Sequence, residues 1–103
     1  MDKETALNIV KQYAEVVKQH FPVKKIVMFG SYARGFAQED SDIDVAIVTG
    51  PLEGDFLDRA AELYRLRGDI DLRIEPILFS STRDLSGFLA EVIRTGEVVY
   101  SSE

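Results

Sequence analysis

Apolar residues recur at spacings of three and four through the first twenty positions. Ala6, Ile9, Val10, Tyr13, Ala14, Val16 and Val17 form one stripe, with Lys11, Gln12, Glu15, Lys18 and Gln19 opposite. That period predicts an amphipathic helix over residues 2–20, capped by Asp2 or Thr5 and stopped before Pro22. The pattern then changes. Lys25–Phe29 is short, apolar and β-branched, as a buried strand is, and Gly30 ends it. Along Asp42–Thr49 the alternation puts Ile43, Val45 and Ile47 on one face and Asp42, Asp44, Ala46 and Val48 on the other. The Gly50-Pro51 turn closes this second strand. Helical spacing returns over residues 55–67, with Asp55 as cap, Gly68 as stop, and Phe56, Leu57, Ala60, Leu63, Tyr64 and Leu66 turned inward. Asp71–Phe79 reads as a third strand, with Asp71, Arg73 and Glu75 on one face and Leu72, Ile74 and Leu78 on the other. A last helix over Leu85–Thr95, ended by Gly96, leads into a small strand at Glu97–Tyr100.

The order is therefore α-β-(short α)-β-α-β-α-β, an α/β layer structure. About a dozen residues join the first two strands, too few for a crossover carrying a full helix. Those strands are expected to run antiparallel or only loosely parallel, which disfavours a doubly wound Rossmann sheet. A chain of 103 residues is expected to be one domain with one modest core.

Composition narrows the chemistry. There is no cysteine, so thiol nucleophiles, zinc–thiolate sites and disulfides are excluded. The one histidine, His20, falls at the end of the first helix, where interaction with the last carbonyls accounts for it. The first residues carry no apolar leader and no run is long enough to span a bilayer, so the cytosol is the expected compartment and no membrane is expected as a partner. A net charge of −6 argues against general affinity for nucleic acid. It does not argue against a single nucleotide, whose charge can be met locally by metal ions and a few donors.

The chemistry-bearing stretch is Met28–Thr49, MFGSYARGFAQEDSDIDVAIVT. Side chains at i and i+2 of a strand leave the same face about 6.5–7 Å apart, so Asp42 and Asp44 point together. Taken alone, a Gly-Ser turn is a capped turn, and two aspartates can sit on a solvated edge. Together, strand, Gly30-Ser31, Gly35 and an Asp-x-Asp opening an apolar strand suit divalent metal held beside a phosphate chain. No Walker-type Gly-x-x-x-x-Gly-Lys loop and no Gly-x-Gly-x-x-Gly occurs.

The segments GSYARG (Gly30–Gly35) and SDIDVAIV (Ser41–Val48) resemble the nucleotidyltransferase superfamily typified by DNA polymerase beta. Within it they are similar to the minimal nucleotidyltransferases (MNT) of prokaryotes, which lack the additional domains of larger relatives. The resemblance implies an α+β fold with a small mixed β-sheet and helices packed against it. It implies a Mg²⁺-dependent enzyme in which Asp42 and Asp44 hold two metal ions and a third carboxylate comes from a neighbouring strand. Asp69, Asp71 and Glu75 are the candidates, and Glu75, deep in the run LRIEPILF, is favoured over the two at the strand entry. An ion pair with Arg73 is the plainer explanation of Glu75. Gly30, Ser31 and Arg34 are the expected phosphate-binding residues, although an exposed Arg34 can simply be solubilising. Tyr32 and Tyr64 are read as packing residues.

The resemblance further implies a partner. Minimal nucleotidyltransferases pair with small helical HEPN proteins, the former acting as antitoxin by transferring AMP from ATP to a tyrosine of the latter. Phe56, Leu57, Tyr64, Phe88 and Tyr100 are candidates for such an interface. A non-catalytic module covering the same partner, or transfer to a small molecule, are the alternatives.

Overall fold

The computed structural model describes residues 1–80 and 87–102. The first helical stripe is realised as α1, Lys3–Lys18, with Asp2 as its cap: the Asp2 carboxylate accepts from the Thr5 N–H at 2.8 Å. Its buried residues are Ala6, Val10, Tyr13, Ala14 and Val17, five of the seven in the apolar stripe. Strand β1 spans Val23–Phe29, and a one-turn helix α2 covers Ser31–Arg34. Strand β2 spans Ile43–Thr49 and helix α3 spans Phe56–Leu66, capped by Asp55 and continued by a 3-10 turn over Arg67–Asp69. Strand β3 is Ile74–Ser80, helix α4 is Phe88–Thr95 and strand β4 is Glu97–Ser101. The expected start of the last helix at Leu85 lies outside the described residues.

The four strands form one mixed sheet in the order β3-β2-β1-β4. β1 runs antiparallel to both β2 and β4, while β2 and β3 are parallel. The short connection through α2 thus allows only the antiparallel neighbour, whereas α3 supplies the crossover that a parallel pair requires. The alternation along β2 divides the interior as its sequence suggests. Ile43, Val45 and Ile47 join Ile26, Met28, Ile74 and Leu78 beneath α1 and α3. On the opposite face Val27, Ala46, Phe79 and Val92 form a smaller cluster under α4.

Three expectations are corrected. The third strand starts at Ile74, not Asp71, because Asp71 folds back locally. Its carboxylate accepts from the Arg73 N–H at 2.9 Å and pairs with the Arg73 guanidinium at 2.7 Å. Leu72 consequently points outward, 68% exposed, and Pro76 takes its place on the inner face with Ile74 and Leu78. Proline fits there because, among the described residues, β3 is an edge strand with ladder bonds on one side only. Finally, the inward face of α3 is narrower than its apolar residues suggest. Leu63 is buried and Ala60 and Leu66 are partly so, but Leu57 is 75% exposed, and Phe56 and Tyr64 are also exposed. Among the described residues, no helix is long and apolar enough to cross a membrane.

Candidate active site

The site forms where β1 ends, β2 begins and β3 runs beside it. In the antiparallel register Phe29 lies opposite Asp44, so the chain turns at Gly30 directly over the Asp44 side chain. Gly30 adopts φ +73° and ψ −149°, a conformation that side chains disfavour. A Cβ at this position would fall 2.2 Å from Asp44 Oδ2, so glycine is required twice over, by backbone angle and by the carboxylate against it. From this turn α2 begins at Ser31, with the Arg34 N–H bonded to the Gly30 carbonyl and the Phe36 N–H to that of Ser31.

In the parallel register Asp44 lies beside Glu75. Paired residues on neighbouring strands leave the same face of the sheet, and the strands are about 4.8 Å apart. Asp42 precedes the first ladder residue of β2 and is exposed, yet its charge reaches Asp44. The Asp44 carboxyl is pushed above its ordinary 3.8, first by burial, then by the negative charges of Asp42 and Glu75. Three carboxylates thus share one electrostatic neighbourhood. Among the described residues no three such side chains are gathered into a finished metal cage. The Glu75 oxygens have partners on the side of α3. The Tyr64 hydroxyl donates to Glu75 Oε2 at 3.1 Å, and Arg67 Nη1 stands 4.0 Å from Oε1.

The other candidates separate clearly. Asp71 is committed to Arg73, whose guanidinium holds its carboxyl below the usual carboxylate range. Arg73 is therefore not the partner of Glu75. Asp69 lies exposed in the 3-10 turn after α3. Arg34 is exposed at the end of α2, its guanidinium 5.8 Å from the centre of the Phe36 ring; Glu91, whose carboxyl is lowered chiefly by its bond with Arg94, also feels the Arg34 charge. Tyr32 is buried, as a packing residue should be, but Tyr64 is not one. Burial and then the hydrogen bond to Glu75 push the Tyr64 phenol above its ordinary range. The signal for Tyr64 was present in the helical phase: it lies one residue, about 100°, beyond Leu63 on the α3 wheel.

The nucleotidyltransferase domain model matches residues 10–86, from mid-α1 past β3 and across the whole of this turn-and-carboxylate arrangement. The chain belongs to the nucleotidyltransferase domain family. The enzyme is 34% identical over 95 residues to the protein adenylyltransferase MntA of Thermococcus cleftensis, covering 90% of this chain and 89% of that one. Its fold matches a crystal structure from Sulfolobus solfataricus provisionally assigned as a nucleotidyltransferase, with TM-score 0.72 and 24% identity over 97% of this chain and 84% of the other. It also matches one chain of a toxin–antitoxin complex crystallised with AMP-PNP, at TM-score 0.66 and 23% identity, covering 94% of this nucleotidyltransferase and 74% of that chain.

Proposed function

We propose that this nucleotidyltransferase is an antitoxin that transfers AMP from ATP to a hydroxyl, a tyrosine in particular, of a helical HEPN-type toxin. The observation that supports the chemistry is Asp44, which lies beside Glu75 in the parallel register, feels the charge of Asp42, and stands against a glycine turn that admits no side chain. A donor set made only of carboxylate oxygens suits a hard cation such as Mg²⁺. The cradle fits it too, because the Gly30 backbone and the Asp44 carboxylate are held against each other. Asp42 and Asp44 would hold the metal ions, with Glu75 completing the set; when bound, these ions supply charge neutralisation at the phosphates and activate the acceptor oxygen.

The chain's own residues do the rest. Gly30 and Ser31 offer backbone N–H groups and a hydroxyl to the outgoing phosphates, and Arg34 adds positive charge at the end of the same turn. The acceptor oxygen bonds to the α-phosphorus, the α–β bridging P–O bond breaks, and pyrophosphate departs. Glu75 receives the acceptor proton, directly or through water. Tyrosine suits this role because its hydroxyl ionises near 10, far more readily than serine's. The similarity to MntA and to a toxin–antitoxin chain crystallised with an ATP analogue supports both donor and partner. Within this reading the chain acts as a single catalytic domain in the cytosol, and the partner contributes the acceptor surface. Phe56 and Leu57 are exposed and available to it, while Tyr64, also exposed, is engaged by Glu75 and Arg67. Phe88 and Tyr100 are partly spent, the first on Phe29 and Phe79 and the second beneath Lys18.

The test is incubation with a HEPN-type toxin from the same genome, Mg²⁺ and labelled ATP, followed by mass spectrometry of both chains. One AMP added to a partner tyrosine is the expected result. Tight binding and inhibition without modification, unaffected by loss of Asp42 and Asp44, would instead make the chain a covering module.

Within the same assay, Glu75→Gln is expected to lower transfer at least about tenfold with ATP binding largely retained. Asp71→Asn should change it little, because Asp71 serves the turn with Arg73. The opposite pattern would move the third carboxylate four residues toward the N-terminus.

A further inference from the structure

Helix α3 reaches around the outer strand of the sheet to the candidate site. Its Tyr64 hydroxyl donates to Glu75 Oε2 at 3.1 Å. One turn on, Arg67 covers the Tyr64 ring, 4.9 Å from guanidinium carbon to ring centre, with Nη1 4.0 Å from Glu75 Oε1. Arg67 is itself fixed, since the same Nη1 donates to the carbonyls of Leu72 and Ile74 at 2.7 and 2.8 Å. These bonds tie the guanidinium to the backbone that enters β3. Both oxygens of Glu75 are therefore addressed from α3 and the 3-10 turn that continues it, by a neutral donor and by a cation whose position the main chain sets. Glu75 also sits beside Asp44 in the parallel register, so its side chain is placed between α3 and the carboxylate pair.

We propose that Tyr64 is a positioning residue: supported by Arg67, it fixes the rotamer of Glu75 and so sets how the third carboxylate meets metal and acceptor. The inference rests on the nucleotidyl-transfer reading of the site. A glutamate has one more rotatable bond than an aspartate, so a third carboxylate of this type gains more from a hydrogen bond that selects one orientation. Such a donor restricts the side chain before the substrate arrives, and a carboxylate oxygen that accepts one hydrogen bond keeps a further lone pair.

Tyr64→Phe is the probe, because it removes the hydroxyl and keeps the ring against Arg67. Two measurements are needed on the intact chain: Mn²⁺ affinity by calorimetry in the presence of a non-hydrolysable ATP analogue, and steady-state AMP transfer. The expected result is Mn²⁺ affinity weakened about tenfold, kcat lowered by a similar factor, KM for ATP within about twofold, and the melting temperature unchanged. Combined with Glu75→Gln, the same substitution should add nothing further, because its effect runs through that carboxylate. An equal loss in the Glu75→Gln background would overturn the inference, since Tyr64 would then act on something else. So would unaltered Mn²⁺ affinity and kcat, or an AMP adduct on Tyr64 itself, which would make it an acceptor. If Glu75→Gln alone leaves transfer and Mn²⁺ affinity intact, the assignment of the third carboxylate fails first, and the inference falls with it.

Discussion

Replacing Asp42 and Asp44 together by asparagine is expected to abolish nucleotidyl transfer while leaving the fold intact, and slightly more stable at neutral pH. Asparagine keeps the shape and removes the charge that would hold divalent metal at the phosphates. Several kcal/mol of transition-state charge stabilisation is at stake, hence a fall of about a thousandfold or more. The stability arm follows from Asp44. Burial and the charges of Asp42 and Glu75 raise its pKa above the ordinary 3.8. A carboxyl raised on folding binds its proton more tightly in the folded chain. It therefore costs nothing below its ordinary pKa, and destabilises increasingly as pH climbs through the folded value. The double variant removes that cost, so its advantage should be present near pH 7, with chelator in the buffer, and shrink toward about pH 3. Urea denaturation at the two pH values, beside the transfer assay, checks both arms. Retained transfer would sink the catalytic assignment; an unfolded variant would make the two aspartates structural.

How much of this was legible beforehand depends on whether the deciding contact is local. Ile43, Val45 and Ile47 alternate with Asp44, Ala46 and Val48, and that period fixes which face of β2 meets α1 and α3. The brevity of the link through α2 restricts β1 and β2 to an antiparallel pair for a reason of chain length alone. Asp2 and Asp55 cap their helices because a short acceptor just before an apolar period has few better uses. Asp71-Leu72-Arg73 misleads for the opposite reason. Its alternation matches that of the strand it precedes, and only the pairing of Asp71 with Arg73 shows that it is a turn.

The site divides in the same way. Strand alternation carried back to Asp42 predicts that it shares a face with Asp44, but β2 begins only at Ile43, and Asp42 precedes the ladder. Glu75 comes beside Asp44 only through strand order and register, because β3 is parallel to β2 and next to it. Neither property follows from residues 74–80 taken alone. Tyr64 is harder still. Its role depends on a helix that packs chiefly by Leu63, Ala60 and Leu66 and leaves the adjacent wheel position at the edge of the sheet. Aromatic residues on amphipathic helices are usually core, and here the hydroxyl rather than the ring makes the informative contact.

Gly30→Ala should be the most damaging single substitution outside the carboxylates, lowering stability by at least about 2 kcal/mol and transfer by about a hundredfold. Two separate costs combine. At φ +73° and ψ −149° an alanine occupies a region that is nearly reserved for glycine. Its Cβ would also meet Asp44 Oδ2 at 2.2 Å and Cγ at 3.1 Å. The carboxylate cannot retreat freely, because Asp44 sits in β2 with β1 on one side and β3 on the other. Relief must come from turning the Asp44 side chain away or from moving the turn that carries Gly30 and Ser31. Either displaces a candidate metal ligand relative to the candidate phosphate donors, and shifts of about 1 Å at such sites cost orders of magnitude in rate. Gly35→Ala is the matched control. Gly35 is also left-handed, at φ +81°, but a Cβ there meets nothing within 4 Å among the described residues. It should lose about 1 kcal/mol for the backbone alone and keep transfer near that of the unsubstituted chain. Denaturation curves and transfer rates of the two variants, measured side by side, separate the contributions: equal losses at both positions would show that the contact between Gly30 and Asp44 has no part in the chemistry.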